Sequence, residues 1–118
     1  MRSWFYRMNI AFLYLAIAII AEVIATSALK ASNGFSVLWP SVITITGYAI
    51  ALFFLSLTMK DIPMGITYAI WSGAGIILIS TVGWILYKQQ LDTAALIGLA
   101  FMIVGIVIIN VFSKSTQL

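Results

Sequence analysis

Four long apolar runs, separated by little more than single charged residues, leave this chain few folds to choose from. They occupy residues 8–29 between Arg7 and Lys30, 31–59 between Lys30 and Lys60, 61–87 between Lys60 and Lys88, and 93–113 between Asp92 and Lys114. Crossing the hydrocarbon core of a bilayer takes roughly 20 helical residues, so each run is one span. The short links between them leave no room for a soluble domain. Only 8% of the residues are charged and 64% are hydrophobic, whereas a soluble domain carries about 25% charged residues. The chain therefore reads as an all-α membrane protein with four transmembrane helices, near residues 8–29, 39–58, 63–86 and 93–112. Residues 1–7 read as an N-terminal extension, 8–113 as the membrane domain and 114–118 as a C-terminal tail.

Several classes of chemistry drop out at once. With no cysteine and no histidine, thiolate chemistry, disulfides and imidazole-based metal or acid–base sites are excluded. No metal or other cofactor is implied. The net charge of +3 is spread singly along the loops, which makes no basic patch and argues against a nucleic-acid partner. The first apolar run exceeds the 7–15 residues of a signal-peptide core and contains an acid, so it is kept as a span. Among the links, Asn33-Gly34 reads as a turn. Trp39 reads as an interfacial anchor with Pro40 in the first turn of span 2. Asp61 reads as the N-cap of span 3, with Pro63 in its first turn, and Asp92 as the N-cap of span 4.

Glu22 is the one charged residue in the interior of an apolar run; Asp61 and Asp92 lie at run ends beside Lys60 and Lys88. A carboxylate in the middle of a membrane costs several kcal/mol unless it is neutral, paired or hydrated, so Glu22 is the expected carrier of function. Helical spacing puts Leu15, Ala18, Ile19, Ala25 and Thr26 on its face. Ala11, Ala18 and Ala25 recur every seventh residue as a small-residue packing stripe. In span 2, Tyr48 places a phenol at mid-depth that needs a hydrogen-bond partner. In span 3, Tyr68 and Trp71 are three apart and share a face. Gly73-Ala74-Gly75 follows them and reads either as a hinge or as a site of close helix contact. In span 4, Gly98 and Gly105 share a face suited to helix association.

These parts argue against an enzyme: no nucleophile is paired with a base, and no glycine-rich loop cradles a phosphate. They suit the holding of an organic cation. An aromatic face attracts a cation by about 0.5–2 kcal/mol, and a carboxylate supplies the counter-charge. Burial disfavours the ionised form of a carboxyl group, so Glu22 can take a proton or a cation but not both together. That exclusion is the physical basis of proton-coupled antiport. One copy offers one such group. Many transporters achieve alternating access with inverted repeats, and this chain contains no internal repeat, so an antiparallel homodimer would supply one. Arg2, Arg7, Lys60 and Lys114 fall on one side of the membrane and Lys30 and Lys88 on the other. Without residues 1–7 the two sides balance, which predicts insertion in both orientations.

The residues that carry this reading also carry a resemblance. AEVIATSALK in span 1, GFSVLWPS at the start of span 2, IPMGITYAIWSGAGI in span 3 and LDTAALIGLAFMIVGIVIIN in span 4 are similar to the small multidrug resistance transporters, over residues 8–113. The resemblance implies export of toxic lipophilic cations in exchange for protons, by antiparallel homodimers in the bacterial inner membrane. It implies that Glu22 is the essential acid and that Tyr68, Trp71, Tyr48, Leu15, Ala18, Ile19 and Thr26 line the substrate chamber. It implies that Gly73 and Gly75 bend differently in the two protomers and that Gly98 and Gly105 lie at the dimer contact. Phe12 and Leu52 depart from the family pattern, where a Tyr and a Phe are expected. The family's guanidinium exporters carry a Trp three residues after the glutamate. Here that residue is Ala25, whose small side chain is expected to leave room for bulky aromatic or quaternary ammonium cations. The alternatives are guanidinium export, a passive proton channel or ring subunit, and a structural role in which Glu22 pairs with another protein's helix.

Overall fold

The computed structural model describes the backbone of residues 2–112 and the side chains of residues 6, 7 and 9–112. Four helices follow in order: α1 (Arg2–Ala31), α2 (Leu38–Thr58), α3 (Met64–Tyr87) and α4 (Thr93–Phe112). They match the four expected spans to within two residues, except that α1 continues through residues 2–7 without a break. The extension is thus a helical continuation of the first span; Met1 and the expected tail, residues 114–118, lie outside the described residues. All four helices are long and apolar enough to cross a membrane, and the spans have mean hydropathies of 2.2, 1.8, 1.8 and 2.8. The chain divides into two compact units, Met1–Ile62 and Pro63–Leu118, in which α1 packs on α2 and α3 on α4.

In the first unit, the link between α1 and α2 turns through three consecutive left-handed residues: Asn33 at φ 48°, Gly34 at 70° and Phe35 at 65°. Asn and Gly tolerate this conformation, but Phe does so only under constraint. Ser32 supplies the constraint. Its hydroxyl donates to the Leu29 carbonyl at 2.7 Å and accepts from the Phe35 N–H at 3.1 Å, and its carbonyl accepts from the N–H groups of Ser36 and Val37. Pro40 then occupies the first turn of α2, as expected, where its missing N–H costs nothing.

Small residues set the α1–α2 crossing. A Cβ built on Gly47 would lie 2.8 Å from the Ala25 Cβ and 3.2 Å from the Ala21 carbonyl oxygen, so the missing side chain lets the two backbones meet. Thr44, one turn earlier on α2, has its hydroxyl 2.8 Å from the Pro40 carbonyl and 3.2 Å from the Ala25 carbonyl, sharing its one proton between the helices. Tyr14 and Phe54 pack with ring centroids 5.7 Å apart. Ala11, Ala18 and Ala25 are all fully buried, in keeping with the seven-residue packing stripe.

The two expected caps behave differently. Asp92 caps α4: its carboxylate accepts the Ala95 N–H at 2.9 Å and its carbonyl the Leu96 N–H at 3.1 Å. Asp61 is not the cap of α3. That position belongs to Pro63, at φ −55° and ψ 143°, with no side-chain hydrogen bond, and the Thr67 N–H reaches the Pro63 carbonyl. The cause is local. The ring of Pro63 disfavours helical backbone at Ile62, so the helix begins at Met64 and its cap position falls on Pro63 rather than on Asp61. At its other end α3 closes on Lys88, left-handed at φ 55°, while the Gln89 N–H reaches back to the Gly83 carbonyl at 3.0 Å. This is the wrapped C-terminal geometry that satisfies orphan carbonyls.

No residue of α4 is buried, although it is the most apolar of the four. Phe101, Val104, Ile108, Val111 and Phe112 all stand exposed. In water, each Å² of such surface costs about 25 cal/mol. A helix apolar on every side is stable only against lipid or other protein, so the chain is a multi-pass membrane protein.

Candidate functional site

Glu22 lies in the body of α1, half-buried. Thr26, one turn later on the same face, donates its hydroxyl to Glu22 Oε1 at 2.7 Å. The Thr26 oxygen is in turn 2.6 Å from the hydroxyl of Tyr48 on α2. A threonine hydroxyl carries one proton. With that proton committed to the carboxylate, the Tyr48 O–H is the donor to Thr26. The result is a three-member chain, Tyr48 to Thr26 to Glu22, that crosses from one helix to the other and ends on the acid. The spacing of α1 predicts that Thr26 shares a face with Glu22, and the depth of Tyr48 predicts a partner for its phenol. The structure makes them one constellation.

The remaining expected positions fall as follows. Leu15, Ala18 and Ile19 are buried, at 2%, 0% and 7% exposure. In the second unit, Tyr68 and Trp71 meet edge to face, with centroids 5.0 Å apart and planes at 82°. Such a T-shaped pair places the positive edge of one ring against the negative face of the other. Tyr68 remains half exposed, so the pair presents aromatic surface.

Gly73 is buried, and a Cβ there would fall 2.5 Å from Cδ1 of Ile106 on α4. Of the two readings of the glycine cluster, the helix-contact reading has this direct support at Gly73. Gly75 is also buried, and α3 runs as one helix through both. A Cβ on Gly98 or Gly105 would meet nothing within 4 Å, so neither glycine is used in packing by this single copy.

One expectation needs correction. Ala25 is fully buried and its Cβ abuts Gly47. Its smallness makes room for α2, not for a bulky cargo. Sequence reasoning also passed over Gly47 and Thr44. The available signal was a lone glycine near the middle of span 2, one turn after a threonine; which residue of α1 it meets is not written in the local sequence.

Four membrane-spanning helices, with a hydroxyl-bound carboxyl group inside the first, define a small multi-pass membrane protein. Comparison with known proteins makes the class specific. The family profile described as Small Multidrug Resistance protein matches residues 10–103, and the chain belongs to this family. Its relatives include the quaternary ammonium compound-resistance protein QacE of Escherichia coli, 49% identical over 104 residues that cover 88% of this chain and 94% of the relative. The multidrug transporter EmrE of Escherichia coli is 50% identical over 105 residues, covering 89% and 96%. The quaternary ammonium compound-resistance protein QacG of a Staphylococcus species is 41% identical over 104 residues, covering 88% and 97%.

Proposed function

We propose that this protein is a proton-coupled antiporter that exports lipophilic aromatic and quaternary ammonium cations across the bacterial inner membrane. The observation that carries the proposal is Glu22, a carboxyl group inside an apolar span and held by the hydroxyl of Thr26. Ionised, it is the counter-charge for a cation; protonated, it has nothing to offer one. Proton and cargo therefore alternate on a single group.

In this reading the substrate-binding residues are Tyr48 and Thr26 in the first unit, with Leu15, Ala18 and Ile19 buried beside them in this single copy, and Tyr68 and Trp71 in the second. The functional unit is an antiparallel homodimer, for which the open glycine face at Gly98 and Gly105 supplies a contact. Gly73 and Gly75 are the places where α3 changes its bend between inward- and outward-facing states. The names of QacE and QacG support quaternary ammonium cargo over guanidinium, a preference that no longer draws on the size of Ala25. In a host lacking its own exporters, the protein is expected to confer growth in ethidium or benzalkonium and none in guanidinium. Selective growth in guanidinium would reverse the assignment of cargo.

The aromatic pair gives a separate prediction. Trp71→Ala removes one ring face and leaves Tyr68 without its edge-on neighbour. It is expected to weaken binding of aromatic cations by about 0.5–2 kcal/mol, with expression unchanged. Tyr68→Phe keeps the ring and is expected to have the smaller effect in the same direction. Both are read by titrating the purified variants with tetraphenylphosphonium. Unchanged affinity in Trp71→Ala would remove the pair from the binding surface.

A further inference from the structure

The chain of hydroxyls on Glu22 can run in either direction, and only a protonated acid, which gains an O–H to donate, opens the reverse direction. An ionised carboxylate accepts only. Thr26 then donates to Glu22 and Tyr48 donates to Thr26, as the distances of 2.7 Å and 2.6 Å allow. A protonated carboxyl group becomes a donor. If it gives its proton to the Thr26 oxygen, the Thr26 O–H swings to the Tyr48 oxygen, and the Tyr48 O–H must turn away from the chain. No covalent bond to hydrogen changes at Thr26 or Tyr48; two O–H bonds rotate. We propose that Thr26 is a relay that reports the charge of Glu22 to the Tyr48 hydroxyl on the neighbouring helix, so that Tyr48 reverses polarity when Glu22 gains a proton. This rests on the reading of Glu22 as the group that titrates during transport, and adds to it a positioning role for Thr26 and a second polar group that switches with the acid.

The reversal acts in the direction that exchange requires. With Glu22 ionised, the Tyr48 hydrogen is tied up in the chain, and the phenol oxygen turns its lone pairs outward, where a cation is attracted. With Glu22 protonated, the Tyr48 O–H turns outward and sets a positive dipole end toward an arriving cation. Acceptance and refusal of cargo are thus each signalled by two groups on two helices. Both lie within one unit, at a crossing fixed by Gly47 and Ala25, so the chain needs no movement of the helices to switch. The geometry asks for a β-hydroxyl at position 26: serine can replace threonine, whereas valine, its near-isostere, cannot.

The test is a pH titration of full-length protein in lipid bilayers, with carbon-13 labels read by NMR at the Glu22 carboxyl carbon and the Tyr48 Cζ. In the wild type the Tyr48 signal is expected to move with the same midpoint as the Glu22 signal. In Glu22→Gln it should stay still across that range. In Thr26→Val, Glu22 should still titrate while Tyr48 loses most of its response, and Thr26→Ser should restore it. Thr26→Ala serves the same purpose where valine disturbs folding. A Tyr48 signal that stays fixed while Glu22 titrates in the wild type overturns the relay and leaves proton coupling intact. So does a Tyr48 signal that follows Glu22 equally well in the valine and alanine variants. A Glu22 signal that never moves overturns the proton-coupled reading itself, and the relay with it.

Discussion

Replacing Glu22 by glutamine is expected to abolish resistance and to remove all competition between protons and cations. The amide of Gln keeps the length of the side chain and offers Thr26 an acceptor oxygen, so the local packing and the 2.7 Å contact have a direct substitute. What goes is the charge. Two unit charges about 4 Å apart at an effective dielectric of about 20 attract by about 4 kcal/mol, roughly a thousandfold in affinity. None of this remains in the variant at any pH. Glu22→Asp is the informative partner. It keeps an acid but draws it back by one methylene from the Thr26 hydroxyl. Aspartic acid is intrinsically the stronger acid, so binding should survive with its pH dependence moved to lower pH. Equilibrium binding of tetraphenylphosphonium across a pH series checks both variants, alongside growth in ethidium. Full resistance in the glutamine variant is incompatible with the mechanism.

The second large effect is expected at Gly47, where nothing chemical happens. Alanine there puts a methyl carbon 2.8 Å from the Ala25 Cβ and 3.2 Å from the Ala21 carbonyl oxygen. Real Cβ atoms do not approach a carbon at the first distance, and neither neighbour is the end of a flexible side chain that can swing aside. The helices must part, and overpacking of this kind costs about 1–3 kcal/mol. Separation of α1 from α2 also stretches the 2.6 Å contact between Thr26 and Tyr48, so the damage reaches the site. Gly47→Ala is therefore expected to lower the unfolding midpoint in mild detergent and to weaken cation binding together. Adding Ala25→Gly removes the closest of the three tight contacts, leaving those to the Ala21 oxygen and the Cα of residue 25, and should recover part of the stability. Recovery stays partial because the Ala21 oxygen belongs to the backbone. A Gly47→Ala protein as stable as the wild type would show that the crossing is looser than the geometry implies.

How much of this could be read from the sequence depends on how local the cause is. The four spans were legible because length and apolarity are properties of a stretch of chain. Asp92 and Asp61 look alike as caps, yet Asp92 accepts a helical N–H while the cap position of α3 is Pro63. The difference is Pro63, whose ring moves the start of α3 past Ile62. That effect is also local, and the restriction a proline places on its predecessor was the signal to use. Glu22 stands out in the sequence because a charge inside hydrocarbon has so few innocent explanations, and the proposed function rests on it. The partnership of Tyr48 with Thr26 was half legible: depth says that the phenol needs a partner, but the partner's identity depends on how α1 and α2 are rotated about their axes. Gly47 was not legible for the same reason, and Ala25 was misread. A small residue next to a functional acid looks like space for cargo until the neighbouring helix is seen to fill it.

The account stands or falls on whether one carboxyl group is shared between proton and cargo. The direct measurement is proton release when tetraphenylphosphonium is added to purified, unbuffered protein at a series of pH values. Each bound cation is expected to displace protons where Glu22 is protonated beforehand, with release fading as the pH rises and Glu22 is already ionised, and none from Glu22→Gln. Tight binding with no proton released at any pH, and with an affinity indifferent to pH, would contradict it.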